Sequence, residues 1–317
     1  RVEILSGPQG TLYGSSSTSG NIKIITKKPD VNSIDYGFDV DYGSITDGTH
    51  DRSFETYMNM PLGDNSAIRI SAYDLKDGGW IDNELASKTF TNSGFTIDNS
   101  SHAKDDYNSL SKDGFRIRFA SEIANQNLDL SMLEQSSSFG GSWETDEDVG
   151  ARANTRFSEE YFDDEFSQIS LSLSGDINDN LEYVFTTSMF DRDVEYTYDY
   201  SEYVEYYNYD GPTYTCDYYD YYYYGNVSGC QDPRMSYTQT DKHERDSYEF
   251  RVQSKGDSGF QWVLGAFSES SKRDYEIEYL WPGMNPGNLS FQPTNGQWWN
   301  LDNTREEETQ AIFGEGY

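Results

Sequence analysis

Apolar and polar residues alternate with a period of two over most of the chain, as in strands whose two faces meet different surroundings. Ile34, Tyr36, Phe38, Val40 and Tyr42 fall on one face, against Asp35, Gly37, Asp39, Asp41 and Gly43 on the other. Phe54, Thr56, Met58 and Met60 repeat the pattern, and so do Ile68, Ile70 and Ala72. It continues through Phe115, Ile117 and Phe119, then Leu128, Leu130 and Met132, then Ile169, Leu171 and Leu173. Leu181, Tyr183, Phe185, Thr187 and Met189 follow; Tyr248, Phe250 and Val252 come next. Phe260, Trp262, Leu264 and Ala266, and finally Ala311 and Phe313, bring the total to about ten predicted strands. None of these apolar-face residues is charged, although 25% of the chain is. Lipid enforces such an absence, because a Lys or Arg at the bilayer midplane costs about 2 to 4 kcal/mol. The core of a soluble β-sandwich enforces it equally.

The connections separate these two readings. Tight turns at Gly63-Asp64-Asn65-Ser66, Ala124-Asn125-Gln126, Asn178-Asp179-Asn180 and Lys255 to Gly259 alternate with long polar loops near 76–112, 136–164, 191–246 and 268–307. That rhythm is the one of an outer-membrane barrel, with short turns on the periplasmic side and large loops outside. Loops of this length are uncommon in compact soluble domains. No run of about 18 apolar residues exists, so no transmembrane helix is expected.

The opening residues have a different character. Val2, Ile4 and Leu5 precede Gly7-Pro8; Ile22, Ile24 and Ile25 follow Gly20; and Gly10 and Gly14 lie between, where a chain bends sharply or admits another backbone. Arg1, Glu3, Gly7, Pro8, Gly10, Leu12, Tyr13, Gly14, Gly20, Ile22, Ile24, Thr26, Lys27 and Pro29 reproduce a long motif. In this motif the chain resembles the end of the plug domain of TonB-dependent outer-membrane receptors. Ser6, Ser19 and Lys23 depart from the usual pattern, which weakens inferences about charge pairs with the barrel wall but leaves the glycine scaffold intact.

The resemblance implies an all-β fold: an antiparallel transmembrane β-barrel of about 22 strands around an internal plug. Residues 1–30 are then expected to be the C-terminal part of the plug, and 31–317 the N-terminal part of the barrel. No initiator Met or signal-like segment opens the chain, and Glu315-Gly316-Tyr317 stops within a strand-like run, so an internal fragment is expected. The resemblance further implies uptake of a scarce nutrient, most often a ferric siderophore, with carbohydrate or cobalamin as alternative cargo. The implied partners are the TonB energy-coupling complex, outer-membrane lipid and lipopolysaccharide. It implies no cofactor. An adhesive or structural surface β-protein is the alternative from another class.

Charge and candidate chemistry refine this picture. With 23 basic and 56 acidic side chains the formal net charge is −33, which argues against nucleic acid as a partner. It also argues against a strongly anionic cargo. Between Glu195 and Tyr224 tyrosines crowd among carboxylates with no Lys or Arg. Tyr196, Tyr198, Tyr200, Tyr203, Tyr206 and Tyr207 form a candidate ligand-contact loop, since tyrosine offers a stiff apolar face with a hydroxyl tip. The competing reading is an extended hairpin whose tyrosines pack on one another across strands.

Cys216 and Cys230, the only cysteines, suit a disulfide closing a surface loop, with two free thiols as the alternative. His50, His102 and His243 are scattered, and Asp146-Glu147-Asp148 lacks the ligand spacing of a calcium loop, so no metal site is expected. Gly256-Asp257-Ser258-Gly259 looks like a protease nucleophile motif, but Phe260 stands where a further glycine is expected and the motif sits in a tight turn. No positioned base accompanies Ser258, so the chain is read as a non-enzyme.

Overall fold

Each alternating run pairs with its sequence neighbour, so apolar side chains meet apolar side chains across every ladder. Met132, for example, lies opposite both Ile117 and Ile169, and Leu130 opposite Phe119 and Leu171. The computed structural model describes residues 1–7, 19–211, 213–256, 259–284 and 296–316. In chain order its elements are β1 (Val2–Ser6), β2 (Gly20–Ile24), β3 (Asp35–Ser44), β4 (His50–Pro61), β5 (Ser66–Asp77), β6 (Asp82–Asn83), β7 (Ser87–Thr89) and β8 (Thr96–Asp98). They continue with β9 (Leu110–Ile123), β10 (Gln126–Phe139), β11 (Ala153–Asn154), β12 (Tyr161–Asn178) and β13 (Leu181–Asp199). Helices α1 (Ser201–Tyr206) and α2 (Tyr218–Tyr224) precede β14 (Ser236–Ser254), β15 (Trp262–Leu280) and β16 (Gln297–Gly316).

Ten of these strands form one antiparallel meander in the order β3-β4-β5-β9-β10-β12-β13-β14-β15-β16. β3 and β16 are its edges among the described residues. β1 and β2 form a separate hairpin, while β6–β11 and β7–β8 are small pairings within the long loops. The turns at one end are tight. Between β9 and β10 only Ala124 and Asn125 intervene, both at positive φ (48° and 65°), the two-residue geometry that matches the twist of paired strands.

Among the described residues no second sheet lies against the apolar face of this wall. Tyr36 and Phe38 are each 76% exposed, and Val40, Ile169, Met189, Phe250 and Leu264 are also exposed. The buried apolar cluster instead comprises Phe90, Ile97, Phe157, Val204, Met235, Trp281 and Met284, all from the long loops and their margins. A β-sandwich buries its apolar faces between sheets, whereas a membrane barrel turns them to hydrocarbon.

Two sequence expectations are corrected. The strands run further than the alternation, and the long connections shrink to 78–109, 140–160, 200–235 and 281–296. Past the apolar band the outward positions become charged, as Met189 gives way to Asp191, Asp193 and Glu195 on β13, so the hydropathy signal ends while the backbone ladder to β14 continues. The second correction concerns β16, where Ala311 and Phe313 are not the outward pair. Ile312, 84% exposed, faces out opposite Ala266. Phe313 lies opposite Gly265 on the inner face, where its ring covers the space a side chain at Gly265 would fill.

Candidate ligand-capture site

The opening segment reaches the inner face of the wall. Gly7 and Gly20, both at positive φ, close the β1–β2 hairpin, and a Cβ on Gly20 would lie 2.4 Å from the Leu5 carbonyl oxygen. Arg1 pairs with Glu3 at 2.7 Å, and Ile22 and Ile24 lie on β2. Beyond the hairpin, Arg118 on β9 donates to the Thr26 hydroxyl (3.0 Å) and carbonyl (3.3 Å) while holding Asp129 of β10 in a two-pronged pair at 2.7 and 2.6 Å. Lys27 reaches Asp35 at 3.2 Å. The buried Asn59 side chain accepts from the Asp30 N–H and donates to the Asp30 and Ser33 carbonyls. Pro8, Gly10, Leu12, Tyr13 and Gly14 of the plug-like motif fall outside the described residues, as does Ser258.

At the opposite, long-loop end the same inner face carries a row of aromatic rings across six strands. Phe139, Phe162, Tyr196, Tyr237, Tyr279 and Trp299 follow one another with centroid separations of 5.6, 5.7, 5.9, 5.0 and 5.5 Å. Strand register creates the row: Phe139 opposes Phe162, Phe162 opposes Tyr196, and Tyr237 opposes Tyr198 and Tyr279. Gln239 accepts from both Tyr196 and Tyr237 hydroxyls at 2.6 Å and fixes their tips. One step deeper lies a charged layer. Arg192 grips Asp164 at 2.8 and 2.8 Å, Arg273 grips Asp241 at 2.9 and 2.9 Å, and Arg245 stacks over Phe190 at 5.4 Å.

The loops build a cap above this ledge. Tyr200, Tyr203, Tyr209 and Tyr214 pack on the buried cluster around Trp281. The fully buried Asp210 carboxylate accepts the Asn92 N–H and side-chain amide, each at 2.8 Å, joining the first long loop to the third. Cys216 and Cys230 are bonded (S–S 2.09 Å) and close the segment containing α2, which Asp217 caps at its start and left-handed Gly225 ends. Beside the ledge a cavity of about 490 Å³ opens between Phe139, Phe162, Tyr198, Tyr200 and Trp143, with Arg156 and Glu160 in its lining.

A further clamp gives the cap a pH dependence. Lys88 of β7 meets Glu205 of α1 at 2.8 Å and Glu202 at 3.6 Å, and Thr91 donates to Glu205 at 2.9 Å. The hydrogen bond from Lys88 holds the Glu205 carboxyl below its usual 4.5, with the Thr91 hydroxyl adding to the effect against desolvation. A carboxyl depressed on folding stabilises above its ordinary value and loses that contribution as pH falls through the depressed one. Amide exchange over residues 87–98 should therefore accelerate as pH drops below 4.5, beyond the intrinsic trend, and Glu205→Gln should lack that dependence. An identical profile in the variant rules the clamp out.

No family model matches the chain, and no curated protein does. Solved structures match it along nearly its whole length. The FyuA protein of Yersinia pestis, described as a ferric yersiniabactin uptake receptor, aligns over 99% of this chain with TM-score 0.70 and 14% identity. The outer-membrane ferripyoverdine receptor of Pseudomonas aeruginosa, solved with ferripyoverdine, aligns over 98% with TM-score 0.56 and 13% identity. The chain has the fold of an outer-membrane receptor barrel. It covers 41% and 38% of those two chains, about two fifths of the receptor fold.

Within that fold the tyrosines of the candidate loop separate. Tyr196 and Tyr198 lie on β13, Tyr196 in the ledge and Tyr198 against it at 5.4 Å. Tyr200 and Tyr203 pack into the cap, whereas Tyr206, 79% exposed, and Tyr207 stay at the surface. Sequence reasoning missed Phe139, Phe162, Tyr237, Tyr279 and Trp299. Their signal was an aromatic on the inward parity at each strand end, visible only once register is known.

Proposed function

We propose that the chain is the plug-to-barrel part of a TonB-dependent outer-membrane receptor that takes up a ferric siderophore, with residues 1–30 the end of the plug and 31–317 the first strands of the wall. One observation carries the reading. A single inner face binds the plug-like segment through Arg118 and Thr26 at one end and presents a six-strand aromatic ledge at the other. A stopper tied below a capture surface is the arrangement that lets a pull on the stopper follow ligand binding. The partners in this reading are the energy-coupling complex and the outer-membrane lipid around the exposed apolar band.

The test uses the whole receptor and a panel of ferric siderophores, cobalamin and oligosaccharides. A ferric chelate should quench tryptophan fluorescence saturably, and the pair Tyr237→Ala and Tyr279→Ala should weaken it at least about tenfold. Radioiron uptake should cease when the energy-coupling complex is deleted. Saturable binding of an oligosaccharide or cobalamin with no response to any chelate would replace the cargo, and uptake indifferent to the deletion would end the transport reading.

A further inference from the structure

The cavity beside the ledge has a charge that the apolar walls conceal. Its lining holds three carboxylates, Glu144, Glu160 and Asp199, and one guanidinium, Arg156. Glu160, with its side chain almost wholly buried, accepts from the Ser142 and Asp199 backbone N–H groups, both at 3.1 Å, and pairs with Arg156 at 3.3 Å. Arg156 also holds Glu144 at 2.8 Å, so its charge is more than offset where it stands. Around the cavity, the connections 78–109, 140–160 and 200–235 carry 17 Asp and Glu against 5 Lys and Arg.

We infer that this cavity receives an organic cation, and that the cargo of the receptor proposed above carries an exposed ammonium group. The inference rests on that receptor reading only for the identity of the cargo. Aromatic faces attract a cation through their quadrupole, most strongly where water is excluded. Trp143, 58% exposed, stands at the rim 6.0 Å from Phe139, which meets Phe162 edge-on at 5.6 Å. The walls thus offer π-faces while the lining supplies net negative charge, and the surrounding loops steer cations inward and repel anions. A volume of about 490 Å³ admits a group of small-ligand size. The deeper Arg192 and Arg273 do not reverse the preference, because Asp164 and Asp241 already occupy them.

Two measurements on the whole receptor test this. Choline is titrated against 3,3-dimethyl-1-butanol, which replaces its charged nitrogen with carbon at the same shape. Choline should bind at least about tenfold more tightly, a difference of about 1.4 kcal/mol, and the advantage should shrink as salt rises. Trp143→Ala should remove most of the binding, and Glu144→Gln, a surface change that leaves folding intact, should weaken choline but not the neutral analogue. In the second measurement a ferric chelate bearing a free amine competes with its N-acetylated form, and the amine form should win by at least about tenfold. Equal binding of choline and its neutral analogue, no binding of either, or equal competition by the two chelates overturns the inference. Those results would leave ferric uptake standing; choline binding without any chelate uptake would do the reverse.

Discussion

Expressed alone, the 317-residue chain should fail to insert into detergent or lipid as a heat-modifiable monomer. The ten-stranded wall ends at β3 and β16, and the 20 residues of β16 present a backbone edge with no partner beyond β15 among the described residues. Within hydrocarbon each unsatisfied N–H or C=O costs several kcal/mol, because no water is present to take its place. Such an edge pairs with another chain rather than standing open. The preparation should therefore aggregate, migrate identically on gels with and without boiling, and melt broadly. A boiled-versus-unboiled mobility difference with a sharp cooperative transition would show that ten strands suffice.

Trp281→Ala opens the cap while leaving the wall intact. Trp281 is fully buried, its ring 6.0 Å from Tyr214, 6.5 Å from Tyr209 and 6.2 Å from Trp298. Truncating a buried Trp costs about 3 to 5 kcal/mol, through lost transfer energy and the cavity left behind. The ladders of β12 to β15 do not depend on it, so the loss appears as local opening. Amide exchange over 200–235 should accelerate by about two to four orders of magnitude, with the strand amides unchanged. Tyr222→Ala, on the exposed face of α2, should change protection by no more than about 0.5 kcal/mol. Unaltered protection in Trp281→Ala would place the core of the cap elsewhere.

The membrane-facing half of the wall was legible because hydrocarbon imposes one rule on every outward side chain from Tyr36 to Leu264. The tight turns were legible too, since Gly63 and Asn125 take positive φ where the chain reverses. Beyond the hydrocarbon that rule lapses. Asp191, Asp193 and Glu195 on β13 face Glu244 and Lys242 of β14, directly or at a diagonal, and their composition reads as loop although their backbones are laddered. On β16 the face was misread because Phe313 fills the gap over Gly265, so the larger apolar residue points in and Ile312 points out. The tyrosine segment mixed three roles that composition cannot separate: ledge, cap core and open surface. The cap core itself joins Phe90, Phe157, Val204 and Trp281 from four distant stretches, and no local periodicity marks them.

The strands' reach past the apolar band also fixes an altitude. From Met189, a last greasy outward residue, to Tyr196 in the ledge is seven steps of about 3.3 Å, or about 16 to 19 Å above the hydrocarbon at the usual strand tilt. In the receptor reading proposed above, recognition would take place clear of the headgroups, so exchanging the host leaflet should alter how firmly the protein is seated but not which molecule it selects.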